Sequence, residues 1–103
     1  GFDFENINEA IKKIEEEIRE VLDVYKDNNR EKIIYEMGDL LFACVNLSRL
    51  LNVDEEEALN KSTKKFIKRF KFIEDNILKQ GKDFNNVTLD EMNTLWEDSK
   101  KYY

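Results

Sequence analysis

Glu17 and Glu20 lie three residues apart, and Glu36 and Asp39 repeat that spacing. On a helix, residues at i and i+3 project from one side. The surroundings repeat as well. Lys13-Ile14-Glu15-Glu16-Glu17-Ile18-Arg19-Glu20-Val21 aligns with Lys32-Ile33-Ile34-Tyr35-Glu36-Met37-Gly38-Asp39-Leu40. Glu17 and Glu36 therefore hold one place relative to the apolar residues, and Glu20 and Asp39 hold another. If a short turn joins two antiparallel helices here, their like flanks face each other. Glu20 with Glu36, and Glu17 with Asp39, mirror about residue 28, so four carboxylates are expected at matching levels on one shared edge. Carboxylates gathered beside an apolar seam repel at low effective dielectric, and a cation relieves the repulsion. Oxygen-only ligands suit a hard ion, Mg2+ first, with Mn2+ or Ca2+ as alternatives. Mg2+ usually keeps waters and recruits substrate phosphates, so the expected chemistry is that of phosphates.

A plainer reading stands beside this one. Most glutamates on helices are solvated surface, and Glu15, Glu16, Glu55 and Glu56 supply many of that kind. Two mirrored pairs bordering the core are what set Glu17, Glu20, Glu36 and Asp39 apart. Gly38, between two of the acids, disfavours a helix interior by ~1 kcal/mol relative to Ala. It is expected to allow close approach of a neighbour or ligand, or close helix packing.

Four helices must position these groups. Ile7, Ile11, Ile14, Ile18, Val21 and Tyr25 recur at helical spacing, and Asp27-Asn28-Asn29 is turn chemistry that should end the series. A second series runs Ile33, Met37, Leu40, Cys44, Leu47 and Leu51. Within it, residues 40–47 are apolar on nearly all sides, which predicts a helix buried by several neighbours at the centre of the fold, one of them a second subunit. Asp54 and Glu57 read as an acidic capping box before the stripe Leu59, Thr63, Phe66, Phe70, Ile73 and Ile77, with Gly81 as its stop. Thr88 and Glu91 make a regular capping box ahead of Leu89, Met92, Leu95 and Trp96. The expected architecture is all-α, an antiparallel bundle with helices near 6–27, 30–51, 55–80 and 89–101.

Composition narrows the function classes. The 103 residues suit a single domain, residues 1–103, and the start at Gly1 is expected of a piece of a longer protein. A net charge of −6 argues against binding a nucleic-acid polymer, although a divalent cation can reverse the local field for a small phosphate ligand. One cysteine cannot close an internal disulfide, so a reducing, cytoplasmic setting is expected, with Cys44 as a small buried hydrophobe. No apolar run reaches the ~18 residues of a membrane span. The chain has no His, which argues against a zinc hydrolase, a His-dependent triad or a carboxylate–His di-iron bundle.

Lys13-x-x-Glu16-Glu17-x-x-Glu20 followed by Glu36-x-Gly38-Asp39-Leu40-Leu41-Phe42 resembles the E-E-x-x-E…E-x-x-D signature of all-α nucleotide pyrophosphohydrolases. Phe2-Asp3, Val45-Asn46-Leu47-x-Arg49, Lys65-Phe66-x-x-Arg69-Phe70 and Leu95-Trp96-x-x-x-Lys100 extend the likeness, in order, to the C-terminal catalytic domain of the MazG type. The resemblance implies hydrolysis of nucleoside triphosphates between the α- and β-phosphates, giving a monophosphate and pyrophosphate. It implies Mg2+ held by Glu17, Glu20, Glu36 and Asp39, with Glu16 orienting the site or a water. Lys65, Arg69 and Lys100 would meet phosphate oxygens, Trp96 would line the nucleotide site, and Asn46 would add a polar contact. It also implies a homodimer. Phe4 stands where the family often has Trp, and Thr63 where it often has Asn.

Two other readings fit the same residues. Lys65 and Arg69 belong to a basic run from Lys61 to Lys71 that would also serve as a solvated face, and Trp96 would also serve as core. A non-catalytic helical interaction module would dock a basic partner on its acidic edge without needing metal. A sister enzyme, a dimeric dUTPase or a dCTP pyrophosphatase, would share the acids but not the words around Lys65 and Trp96.

Overall fold

The computed structural model describes residues 6–103, so the words at Phe2-Asp3 and Phe4 lie outside the described residues. The all-α expectation is met. The chain forms α1 (Ile7–Tyr25), α2 (Arg30–Leu50), α3 (Glu55–Lys79) and α4 (Leu89–Ser99), with a single 3-10 turn at Phe84–Asn86 and no strand among the described residues.

The expected caps are present. Asp54 accepts from the backbone N–H of Glu56 (2.9 Å) and Glu57 (3.2 Å), and Thr88 from that of Glu91 (3.1 Å). Asn6 and Asn29 cap α1 and α2 in the same way. Each such cap is worth about 1 kcal/mol. Gly81 ends α3 at φ +70°, with its N–H on the Leu78 carbonyl (3.0 Å) and the Lys82 N–H on that of Ile77 (3.2 Å). That pair of bonds requires a left-handed residue, which glycine adopts without strain. Asn52 closes α2 by the same geometry at φ 57°.

The chain divides into two compact units, one ending at Glu57 and one spanning Ala58–Tyr103. In the first, α1 packs against α2 across the turn after Tyr25. The buried and half-buried residues of α1 are Ala10, Lys13, Ile14, Glu17, Val21 and Val24. Those of α2 include Ile33, Glu36, Leu40, Ala43, Leu47 and Leu50. Apart from Lys13, these positions alternate by three and four, the spacing of a helix–helix seam. Ala10 at 1% and Ala43 at 6% exposure are the small residues that let the helices approach. Glu17 and Glu36 take seam positions that a purely structural hairpin would give to apolar residues.

The seam is turned away from the stripe expected from the sequence. Ile14 and Val21 belong to both, but Ile7, Ile11, Ile18 and Tyr25 are exposed. α2 is not wrapped on all sides either: Leu41 is 60% and Phe42 76% exposed, and Cys44 is exposed as well. One neighbouring helix covers one face, so a helix that is apolar nearly all round keeps the other face on solvent. An added Cβ at Gly38 would meet nothing within 4 Å among the described residues, so none of them is a close neighbour that calls for that glycine.

In the second unit, Ile73, Ile77 and Ser99 are buried, and ring contacts join α3 to the 3-10 turn, to α4 and to the C-terminal residues. Phe66 lies 5.6 Å from Trp96, Phe70 5.6 Å from Phe84 and Phe72 5.4 Å from Tyr102. The first half of the α3 stripe, Leu59 to Phe70, is exposed. Among the described residues, no helix is long and apolar enough to cross a membrane.

Candidate metal centre

Seam packing brings three of the four expected acids together. Glu17 and Glu20 of α1 and Glu36 of α2 each place one carboxylate oxygen within 4.8 Å of the others. Glu17 is 4% exposed, Glu36 half-buried and Glu20 exposed, so the cluster runs from the seam out to solvent. One oxygen of Glu17 (Oε2) and one of Glu36 (Oε2) are buried without a hydrogen-bond partner. A buried carboxylate oxygen with no donor carries a desolvation cost, and a bound cation is one way to meet it. Two orphaned oxygens, a third carboxylate beside them and no softer ligand fit a hard divalent ion.

Asp39 is exposed, one turn beyond Glu36 on α2, and is not part of the three-oxygen group. Glu16 is also exposed, 3.7 Å from the Lys13 ammonium. The motif spacing does not single out Lys13 as a site residue. Its Nζ donates to Glu17 Oε1 at 2.9 Å, a contact that the i, i+4 spacing of Lys13 and Glu17 permits. That bond, more than any other cause, holds the Lys13 ammonium above its ordinary pKa.

The Glu20 carboxyl is pushed above the usual carboxylate range, chiefly by the hydrogen bond it can give Glu36, then by the negative charges of Glu17 and Glu36. Folded Glu20 therefore keeps its proton to higher pH than the ordinary value of 4.5. Its contribution to stability is complete below that value and is lost as pH rises through the raised one. In EDTA, wild type should lose more stability than Glu20→Gln as pH climbs from that value to neutrality. Urea unfolding at both ends of the window measures the difference, and equal losses would show that Glu20 is not strained.

The remaining expected site residues lie in both units. Asn46, half-buried on α2, accepts from Arg49 Nη2 at 3.2 Å. In the second unit, the Arg69 guanidinium lies 5.2 Å from the Trp96 ring centroid, Arg69 Nη2 donates to the Tyr103 carbonyl at 3.2 Å, and Arg69 Nε is buried without a partner. Arg69 and Trp96 are thus brought together. Lys65 is exposed on α3, and Lys100, the residue capping the end of α4, donates to Glu97 Oε1 at 3.1 Å.

A family model described as the MazG nucleotide pyrophosphohydrolase domain matches residues 5–73. The nucleoside triphosphate pyrophosphohydrolase/pyrophosphatase MazG of Thermotoga maritima is 42% identical over 100 residues, covering 97% of this chain and 38% of that protein. The nucleoside triphosphate pyrophosphohydrolase of Escherichia coli K12 is 37% identical over 103 residues, 98% of this chain and 39% of its own length. A phosphoribosyl-ATP pyrophosphatase of Vesicomyosocius okutanii is 39% identical over 59 residues, 57% of this chain and 56% of its own length. The chain therefore spans about two-fifths of the length of the two fuller matches. The family match takes in both acidic pairs and the turn between them, and the chain belongs to the MazG nucleotide pyrophosphohydrolase domain family.

Proposed function

We propose that this domain hydrolyses nucleoside triphosphates between the α- and β-phosphates to a monophosphate and pyrophosphate, with Mg2+ or Mn2+ at the acidic centre. The observation that carries the reading is the convergence of Glu17, Glu20 and Glu36 around buried, unpartnered carboxylate oxygens. Family membership and the names of the two fuller relatives supply the substrate class.

Glu17, Glu20 and Glu36 would hold the ion, with Asp39 joining from the next turn of α2 and Glu16 helping to orient a water. Bound there, the cation would offset the charge of the carboxylates and of a triphosphate together, which several negative groups in one place require. One or more of these carboxylates would take a proton from an attacking water. Lys65, Arg69 and Lys100 would stabilise charge on the departing pyrophosphate, Arg69 through its planar donors. Trp96, already under Arg69, would line the nucleotide site, and Asn46 would offer it a polar contact.

We also read the domain as half of a homodimer, because exposed Ile34, Leu41, Phe42 and Val45 line a helix whose composition is that of a core. The reading carries a cytoplasmic setting, in which Cys44 stays a thiol.

Pyrophosphate release from a panel of ribo- and deoxyribonucleoside triphosphates, with Mg2+ and with EDTA, tests the reaction. The panel includes dUTP, dCTP and phosphoribosyl-ATP, since one relative is named for the last. Release from phosphoribosyl-ATP alone would move the domain to that branch. Neither turnover nor cation binding would favour a charge-docking module.

A further inference from the structure

We propose that Lys13 is the resident counter-cation of the acidic centre, an ammonium that a divalent ion must dislodge from Glu17, so that Lys13 sets the centre's metal affinity. The inference rests on the metal-centre reading above.

A carboxylate as buried as Glu17 is costly to keep ionised unless it is paired. Lys13 is the pair: its Nζ stands 2.9 Å from Glu17 Oε1, while Glu17 Oε2 has no partner. The two side chains differ in freedom. That of Glu17 is 5% exposed and fixed in the seam, whereas that of Lys13 is 38% exposed on a flexible four-carbon stem. The lysine is therefore the partner that can leave.

It also has somewhere to go. Glu16 Oε2 lies 3.7 Å from the same Nζ on the solvent side, with its side chain 62% exposed. A small rotation of the stem hands the ammonium from Glu17 to Glu16 and frees both Glu17 oxygens beside Glu20 and Glu36. A divalent ion entering the group must oppose the ammonium's charge and break its bond to Glu17, so its observed affinity is lowered by what that bond contributes. In exchange, the buried carboxylate keeps a partner that holds it in place.

Calorimetric titration of Mg2+ and of Mn2+ into wild type, Lys13→Met and Lys12→Met tests this, with melting curves in EDTA and in saturating Mg2+. Lys13→Met keeps the stem and removes the charge, whereas Lys12→Met removes the same charge one residue away. Lys13→Met should bind about five-fold tighter than wild type, the factor expected from a half-exposed charged bond, with Lys12→Met within about two-fold. It should also melt lower than wild type in EDTA and level with it in Mg2+. A residue that merely braces the helix would weaken metal binding, not tighten it. Lys13→Met binding no tighter than Lys12→Met would overturn the proposal while leaving the metal centre standing. If wild type, Lys13→Met and Lys13→Gln all fail to bind either cation, the metal-centre reading itself fails and this inference with it. Lys13→Gln also serves should the Met variant melt too low in EDTA.

Discussion

Glu17→Gln is expected to lower pyrophosphate release by about three orders of magnitude while leaving the metal-free domain folded. The size follows from losing an ion that supplies several kcal/mol of charge stabilisation, at about 1.4 kcal/mol per tenfold. The survival of the fold follows from the geometry. Glutamine keeps the volume of the seam residue, removes one charge from a cluster of three carboxylates, and leaves behind Lys13, which water can solvate. Melting in EDTA should therefore be no lower than for wild type, and Mg2+ should raise the melting point of wild type but not of the variant. A Glu17→Gln domain that turns over at the wild-type rate would remove Glu17 from the site. Asp39→Ala makes an informative companion. Asp39 is exposed and outside the three-oxygen group, so loss of turnover there would show that it is recruited when substrate binds. An active Asp39→Ala enzyme would confine the ligand set to the three converging glutamates.

Phe42→Glu is expected to turn a dimer into a monomer. Phe42 is among the most exposed apolar side chains of α2, beside Leu41 and near Val45. A buried aromatic at the middle of an interface is worth ~2 kcal/mol or more on truncation, and a two-fold axis counts the change twice. Introducing a charge there should weaken self-association by a factor of about 1000. The hairpin itself should stay intact, because Phe42 lies outside the α1–α2 seam. Light scattering coupled to size exclusion, at micromolar protein, separates the outcomes. A wild-type domain that runs as a monomer would leave this face to another partner.

The sequence carries much of this arrangement because its signals are local. Capping residues reach backbone groups two or three positions away, so Asp54, Thr88 and Gly81 mark helix ends without knowledge of the rest of the fold. The mirror about residue 28 also needs only a short turn, and it brings Glu20 to Glu36 as expected. The phase of the seam is harder to read. Apolar spacing alone favours Ile7, Ile11 and Ile18, but contact between two helices selects small residues that allow approach, and Ala10 and Ala43 decide the rotation. That rotation moves Glu17 and Glu36 from the border into the seam and leaves Asp39 on the outside. The composition of α2 reveals how much apolar surface it carries but not what covers it, since a residue's type does not say which neighbour supplies the burial. Lys13 is hard to single out because an i, i+4 lysine–glutamate pair is commonplace on exposed helices, and only the burial of Glu17 gives this one consequence.

The most direct test of the central claim is phosphorus NMR of a nucleoside triphosphate incubated with the domain, with Mg2+ and then with EDTA. The expected spectrum gains monophosphate and pyrophosphate signals in Mg2+, and neither grows in EDTA or with Glu17→Gln. Growth of diphosphate and orthophosphate, or product formation that continues in EDTA, would contradict a metal-dependent cleavage between the α- and β-phosphates.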